Sequence, residues 1–369
     1  VTSTAAELNV LDPALKENNS IWIGSDPSGS TNSAEYNVAL GVNALLVITT
    51  GDQNTSLGFE SGKALTTAQQ NTLVGAYSGY SLTTGAHNTY IGRASGGQGD
   101  ISADAGNANT GDYNVTVGHG SSAALKGASY NTVVGTSALA SATIGNSNVA
   151  VGYKTLHENI NGDRNTALGY EALRDLEPGS SVDMYNVAVG FKAGAHADTA
   201  DAAFTGIHNT LLGSFAGAEL TSGDSNVAVG YLAGGGSSGS AATGDGNVAV
   251  GDNALNVVVG GHSNVAVGKN AMIAATSAQN NVAIGYQTLD AATTSFYNVA
   301  VGGQALGAND TGNYNTAVGY GSLMDQSGDA NYNTAVGYFA GEEVTTGDNN
   351  TYIGAFAGEE ATTAEYNAV

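Results

Sequence analysis

The stretch Asn226-Val227-Ala228-Val229-Gly230 decides the reading of this chain, because the same Asn-Val/Thr-Ala-Val-Gly phrase recurs almost from end to end. With its Asn as position 0, copies start at Asn37, Asn54, Asn71, Asn88, Asn114, Asn131, Asn148, Asn165, Asn186, Asn209, Asn226, Asn247, Asn264, Asn281, Asn298, Asn315, Asn333, Asn350 and Asn367, and Ser20 opens a variant copy. Of the 19 intervals between these starts, 14 are 17 residues long and the others are 26, 21, 23, 21 and 18. A fixed short period is the signature of a solenoid, whose coils cannot bury an apolar face alone and must stack on their neighbours. The expected fold is therefore all-β, a parallel β-roll or β-solenoid over residues 20–369 with about 20 coil starts, preceded by a connector over 1–19.

Each phase of the repeat carries its own constraint. In every complete copy position +1 is β-branched and +3 is Val, Leu or Ile, whereas +2 is mostly Ala but admits Trp22, Tyr90 and Tyr352. Strand alternation puts +1 and +3 on one face, and the constant β-branched character of +1 with Val, Leu or Ile at +3 predicts that this face is the core, with +2 outside. Gly at +4 suits a corner. Aromatic residues are frequent at +5, as in Tyr153, Tyr170 and Phe191, from Asn37 onward +7 is always Ala, Ser or Thr, and +8 is commonly Leu or Gly. This half reads as a second short strand, and Gly-Asp-Tyr before the next Asn reads as turn chemistry. The out-of-phase copy Asn256-Val257-Val258-Val259-Gly260 falls inside one normal interval and belongs to the second half of its coil. In the connector, Thr4 to Leu11 has the spacing of about two helical turns, limited by Pro13.

Nine basic against 32 acidic residues give a formal charge of −23. Nucleic acid is bound through Lys and Arg, so it is not an expected partner. The longest strongly apolar run, Ala44 to Ile48, is far short of the roughly 20 residues that a membrane helix needs, and membrane insertion is not expected. The absence of cysteine removes disulfides, zinc-thiolate sites and thiol catalysis.

Chemistry has few places to sit. The long intervals put extra residues at 97–111, 174–184, 195–207 and 234–246, either passive projecting loops or contacts to a receptor or glycan. The Asn residues Asn37, Asn54, Asn71, Asn88, Asn114, Asn131, Asn148, Asn165, Asn226, Asn264, Asn281, Asn298, Asn315 and Asn350 are read as structural, in a stacked amide ladder or a turn before the strand. The +5 aromatics are read as packing, with a sugar-binding stripe as the alternative. Glu342, Glu343, Glu359 and Glu360 repeat at a separation of 17, which stacks like charges one coil apart. They form a solvated rim or, alternatively, a Ca²⁺ site. The six His are scattered over different phases, and no catalytic set or other cofactor site is expected.

A 17-residue coil encloses a thin core. Backbone ordering costs about 1–2 kcal/mol per residue, and burying a Val or Leu returns roughly 1.5–3. A lone roll is therefore expected to be marginal and to associate with copies of itself through the +2 Ala stripe or the +5 aromatic stripe.

The repeat Asn-Thr-Ala-Val-Gly-Tyr-x-Ser/Ala-Leu, clearest at Asn165 to Leu173 and Asn315 to Leu323, resembles phage tail-fibre repeats that often precede an endosialidase-type intramolecular chaperone domain. It is also similar to the head repeats of trimeric autotransporter adhesins. The opening Thr2 to Asp12 resembles a segment common in phage fibre proteins. The resemblance implies an elongated homotrimer or filament, located on a virion surface or outside the cell. Its implied function is the structural shaft of a tail fibre with host-surface contact through projecting loops. A bacterial surface adhesin or extracellular filament subunit is the alternative, and a polysaccharide depolymerase stands behind both.

Overall fold

The computed structural model describes residues 16–17, 19–24, 31, 33–97, 108–180, 182–195, 203–235, 241–363 and 365–369. The helix expected over Thr4 to Leu11 and the central parts of three expected loops lie outside them. The chain divides into two units, Val1–Leu168 with Leu176–Asp183, and Gly169–Asp175 with Met184–Val369.

Both units are parallel β-solenoid, one three-residue strand per coil in most cases. In the first unit the strands run from Ser20–Gly24, Val38–Gly41 and Thr55–Leu57 to Thr166–Leu168. In the second they run from Val187–Val189 to Thr351–Ile353. Pairing is parallel and keeps identical phases side by side: Val38 against Thr55, Ala39 against Ser56, Leu40 against Leu57. Likewise Val282, Ala283 and Ile284 lie against Val299, Ala300 and Val301. Lys16–Glu17 adds an antiparallel strand to Ser20–Gly24, and Gly162–Asp163 pairs with Val182–Asp183 in a small separate sheet.

The side chains face the opposite way to the sequence-based expectation. Position +2 is the buried one: Ala39, Leu73, Ala150, Ala228 and Ala300 are core, and so are the three large residues Trp22, Tyr90 and Tyr352. Positions +1 and +3 face out, with Val38 42% and Leu40 43% exposed. The reason is parity. The Asn at 0 is turned inward by its hydrogen bonds, so +2 follows it inward and +1 and +3 cannot.

Inside, +2 is balanced by +8. Coils with Ala at +2 often carry a buried Leu at +8, as in Ala39 with Leu45 and Ala283 with Leu289. Where +2 is Tyr90 or Tyr352, +8 is Gly96 or Gly358, and a Cβ on either glycine would sit 2.2 Å from the ring. A thin core tolerates one large side chain per layer because its neighbour is reduced to hydrogen.

Among the described residues the expected second strand is absent. Residues +5 to +8 form turns, in which +6 and +8 both adopt left-handed backbone, for example Gln287 (φ 50°) and Leu289 (φ 50°). Two left-handed residues fold the return half tightly enough to aim +7 and +8 inward together. Val258, at +11, is buried, so the out-of-phase copy belongs to the return half.

The corner glycine at +4 meets two demands. Gly268 has φ +138°, and a Cβ there would lie 2.2 Å from the carbonyl oxygen of Gly285 in the next coil. No other residue satisfies both the dihedral and the stacking distance.

Candidate functional site

Two features run along both units: an asparagine ladder inside and an apolar sheet face outside.

The ladder repeats one backbone bond from coil to coil, and in many coils a side-chain bond joins it. The Asn54 N–H donates to Asn37 Oδ1 at 2.9 Å, and Asn54 Nδ2 donates to the same oxygen at 3.1 Å. Asn54 Nδ2 also donates to the Ala68 carbonyl at 2.9 Å, which ties the start of the coil to its end. In the first unit the backbone-to-side-chain bond links Asn71, Asn88, Asn114, Asn131, Asn148 and Asn165, each to its predecessor. In the second it links Asn209, Asn226, Asn247, Asn264, Asn281, Asn298, Asn315, Asn333, Asn350 and Asn367. All the ladder residues from Asn37 to Asn350 are buried. A buried amide with its acceptor shared and its donors bonded carries little desolvation penalty.

A second ladder stands at −2. The carboxylate of Asp52 accepts the Glu35 N–H at 2.8 Å, Asp112 accepts that of Ala86 at 2.6 Å, and Asp348 accepts that of Asn331 at 2.6 Å. Asn146 and Asn313 accept in the same way from Ser129 and Phe296. These Asp residues satisfy backbone donors of the preceding coil, a role that the turn reading missed. Their repetition at a fixed phase with Asn as the substitute was the available signal.

Of the acidic candidates Glu342, Glu343, Glu359 and Glu360, the fold brings Glu343 and Glu359, together with Asp325, close enough to act on Glu342. Burial first, and then the carboxylates of Asp325, Glu359 and Glu343, push the Glu342 carboxyl above its ordinary value. Among the described residues no group of three or more His, Asp or Glu side chains is arranged to hold a metal ion. Gln287, Asp290, Gln304, Gly307, Met324 and Asp325 line a shallow groove on the return half of the second unit. The expected loops return to the coil at buried anchors, Asn109, Phe204 and Ala242. Leu82 bridges to Asn109 and Leu220 to Ala242.

The outer face consists of +1 and +3, bordered by −1 and +5. The −1 residue is left-handed throughout, as in Tyr130 (φ 63°) and Tyr314 (φ 58°), and this turns the side chain out of the coil. Tyr113 and Tyr130 stack with centroids 5.3 Å apart and planes at 4°, and Tyr314 and Tyr332 at 5.0 Å and 3°. His87 and His208 join this border, stacked on Tyr113 and Tyr185. At +5 and +6, Tyr320, Tyr338, Phe339 and Phe356 form a cluster of edge and stacked contacts. All four border and face positions are thus substantially open, with Tyr36 at 56% exposure.

These features define the chain as a parallel β-solenoid repeat protein. Neither a scan against models of protein families nor a search of curated proteins finds a match to it.

Proposed function

We propose that this chain is a structural subunit, the shaft of a phage tail fibre, with the segments between coils available for contact with a host-surface glycan or protein. The observation that carries this reading is the ladder. The polar side chain that recurs in every coil is consumed in bonding that coil to its neighbours, so the repeated chemistry is that of a scaffold that grows by addition. The resemblance of Asn165 to Leu173 and Asn315 to Leu323 to fibre repeats supports the same reading. The role is non-catalytic, and the location is a virion surface.

Immunogold electron microscopy with an antiserum against the purified chain tests this. Gold along the tail fibres of phage particles is the expected result. Gold on bacterial cell surfaces instead would move the assignment to an adhesin or extracellular filament, and gold on neither would overturn both.

A further inference from the structure

No Lys or Arg follows Lys269, whereas ten acids do. Six of them stand at two adjacent phases of the return half: Asp290, Glu342 and Glu359 at +9, and Asp325, Glu343 and Glu360 at +10. Within that row the groove of the second unit opens at Gly307, the +9 residue of its own coil. A Cβ on Gly307 would stand 3.6 Å from Asp290 Oδ1 of the preceding coil, and Asp325 of the following coil lines the same groove. With hydrogen for a side chain, Gly307 leaves a slot flanked by two carboxylates.

The same phase elsewhere in the chain identifies the chemistry that fits. In the coil of Asn54 the +9 residue is Lys63, whose Nζ lies 2.9 Å from Glu60 Oε1 at +6 and 5.3 Å from the ring centroid of Tyr80, the +9 residue of the next coil. In the coil of Asn165 it is Arg174. Its guanidinium donates to Glu171 at +6 at 3.0 Å, and to both carboxylate oxygens of Asp175 at +10 at 2.7 and 3.0 Å. Twice, then, a cation rooted at +9 lies along the return half against carboxylates of neighbouring phases. Around Gly307 the carboxylates are present, but no basic residue stands at +6, +9 or +10 of its coil or of the coils on either side.

We propose that the Gly307 groove is a docking site for a Lys or Arg side chain on a basic segment of a different protein. The lining suits a side chain better than a bare ion. Ala291, Ala308 and Met324 offer aliphatic surface to a methylene stem, whereas a metal ion calls for several oxygen ligands, and no group of three or more is arranged for one among the described residues. Burial holds the Asp290 carboxyl above its ordinary value, and bonds from the backbone at Asp290 and Ala291 offset this only in part. A cation in the groove completes the compensation. The acids beyond it, from Asp325 to Glu360, attract further basic residues of the same segment. A second copy of this chain is a poor source of the cation, because Lys63, Arg164, Arg174, Lys192 and Lys269, five of its nine basic residues, are already ion-paired. The proposal goes beyond the fibre reading and does not rest on it.

The test is fluorescence anisotropy of a dye-labelled peptide of alternating Gly and Lys, titrated with the full chain at physiological ionic strength. The native chain is expected to bind it, and to bind the matched peptide with Gln in place of Lys at least about tenfold more weakly. Gly307→Lys fills the slot with a cation of the chain's own. Gly307 lacks the left-handed backbone of the corner glycines, and the nearest atom to its Cβ would be the Gln304 carbonyl oxygen at 3.3 Å. Ser277→Lys adds the same charge at an exposed position outside the groove. Affinity for the Lys peptide is expected to fall at least about tenfold in Gly307→Lys and to stay near native in Ser277→Lys. A native chain that does not bind, equal affinity for the two peptides, or equal affinity of the two variants would each overturn the proposal. Should Gly307→Lys fail to fold, Asp290→Asn with Asp325→Asn is compared with Asp329→Asn with Glu365→Gln, which remove the same charge outside the groove. Only the first pair is expected to weaken binding by about tenfold, and no difference between the pairs would overturn the proposal. These affinities do not depend on where the chain is found, so a negative immunogold result and a negative binding result remain distinct.

Discussion

Asn298 donates its backbone N–H to Asn281 Oδ1 at 2.9 Å and its side-chain Nδ2 to the same oxygen at 3.2 Å. One carbonyl oxygen thus holds the next coil twice, while Asn281 Nδ2 holds its own coil closed on the Ser295 carbonyl at 2.8 Å. Replacing Asn281 with Ala leaves a buried N–H and a buried carbonyl without partners, at about 1–3 kcal/mol each. We expect Asn281→Ala to lower unfolding free energy by about 3 kcal/mol in urea titration. Asn281→Asp keeps the acceptor but points a carboxylate at the Ser295 carbonyl, and is expected to be worse than Ala at pH 8.

The corner glycine gives a sharper contrast. Gly268→Ala adds a Cβ that would lie 2.2 Å from the Gly285 carbonyl oxygen at φ +138°, so neither strain nor clash is relieved without separating two coils. Gly260→Ala adds a Cβ with nothing within 4 Å. Thermal melting should show a large loss for the first and a change of under about 0.5 kcal/mol for the second.

Core volume is shared between +2 and +8, and a double-mutant cycle measures the sharing. Tyr90→Ala empties a layer and is expected to cost about 3–5 kcal/mol. Gly96→Leu alone collides with the Tyr90 ring, since a Cβ there lies 2.2 Å from it. The double variant reproduces the Ala-with-Leu pairing of Ala283 and Leu289, whose backbone at +8 is already left-handed at φ 50°. Its stability should exceed the sum of the single effects by at least about 2 kcal/mol.

The acid cluster gives a pH dependence. The Glu342 carboxyl is raised above its ordinary value by burial and by Asp325, Glu359 and Glu343. A raised carboxylate binds its proton more tightly in the folded state, so its charge destabilises the fold above the folded pKa and has no effect below the unfolded one. Glu342→Gln should therefore raise the melting temperature at pH 7 to 8, and the gain should vanish below about pH 4. An equal gain at both ends of this range would show that the cluster does not repel.

Much of the architecture is legible in the sequence. The 17-residue spacing of Asn264, Asn281, Asn298 and Asn315 gives the solenoid, the strand phase and the corner at Gly268, because stacked coils must repeat what makes them stack. What misleads is the ranking of Val above Ala in hydrophobicity. It puts Val299 and Val301 inside and Ala300 outside, whereas the inward +2 position of so thin a coil is filled mostly by Ala, as at Ala300, and its aromatics Tyr90 and Tyr352 stand opposite glycine. The reciprocity of Tyr90 with Gly96 and Tyr352 with Gly358 holds the correct parity and is readable in the residues themselves. The return half is illegible for another reason: left-handed Leu289 and Met272 look like ordinary apolar residues of a strand. On the candidate surface, the aromatic rows at −1 and +5 are visible in the sequence, but the apolar face they border appears only once +1 and +3 are known to lie outside.

Trp22 is the chain's one tryptophan, and it stands at +2 with 1% exposure. Its fluorescence therefore reports the inward orientation of +2, from which the outward face of +1 and +3 follows. A buried Trp22 predicts a blue-shifted emission that iodide and acrylamide do not quench in the folded chain, and that shifts red together with the loss of β-sheet circular dichroism. A water-exposed emission, freely quenched while the β-sheet signal is intact, would place +2 outside and contradict it.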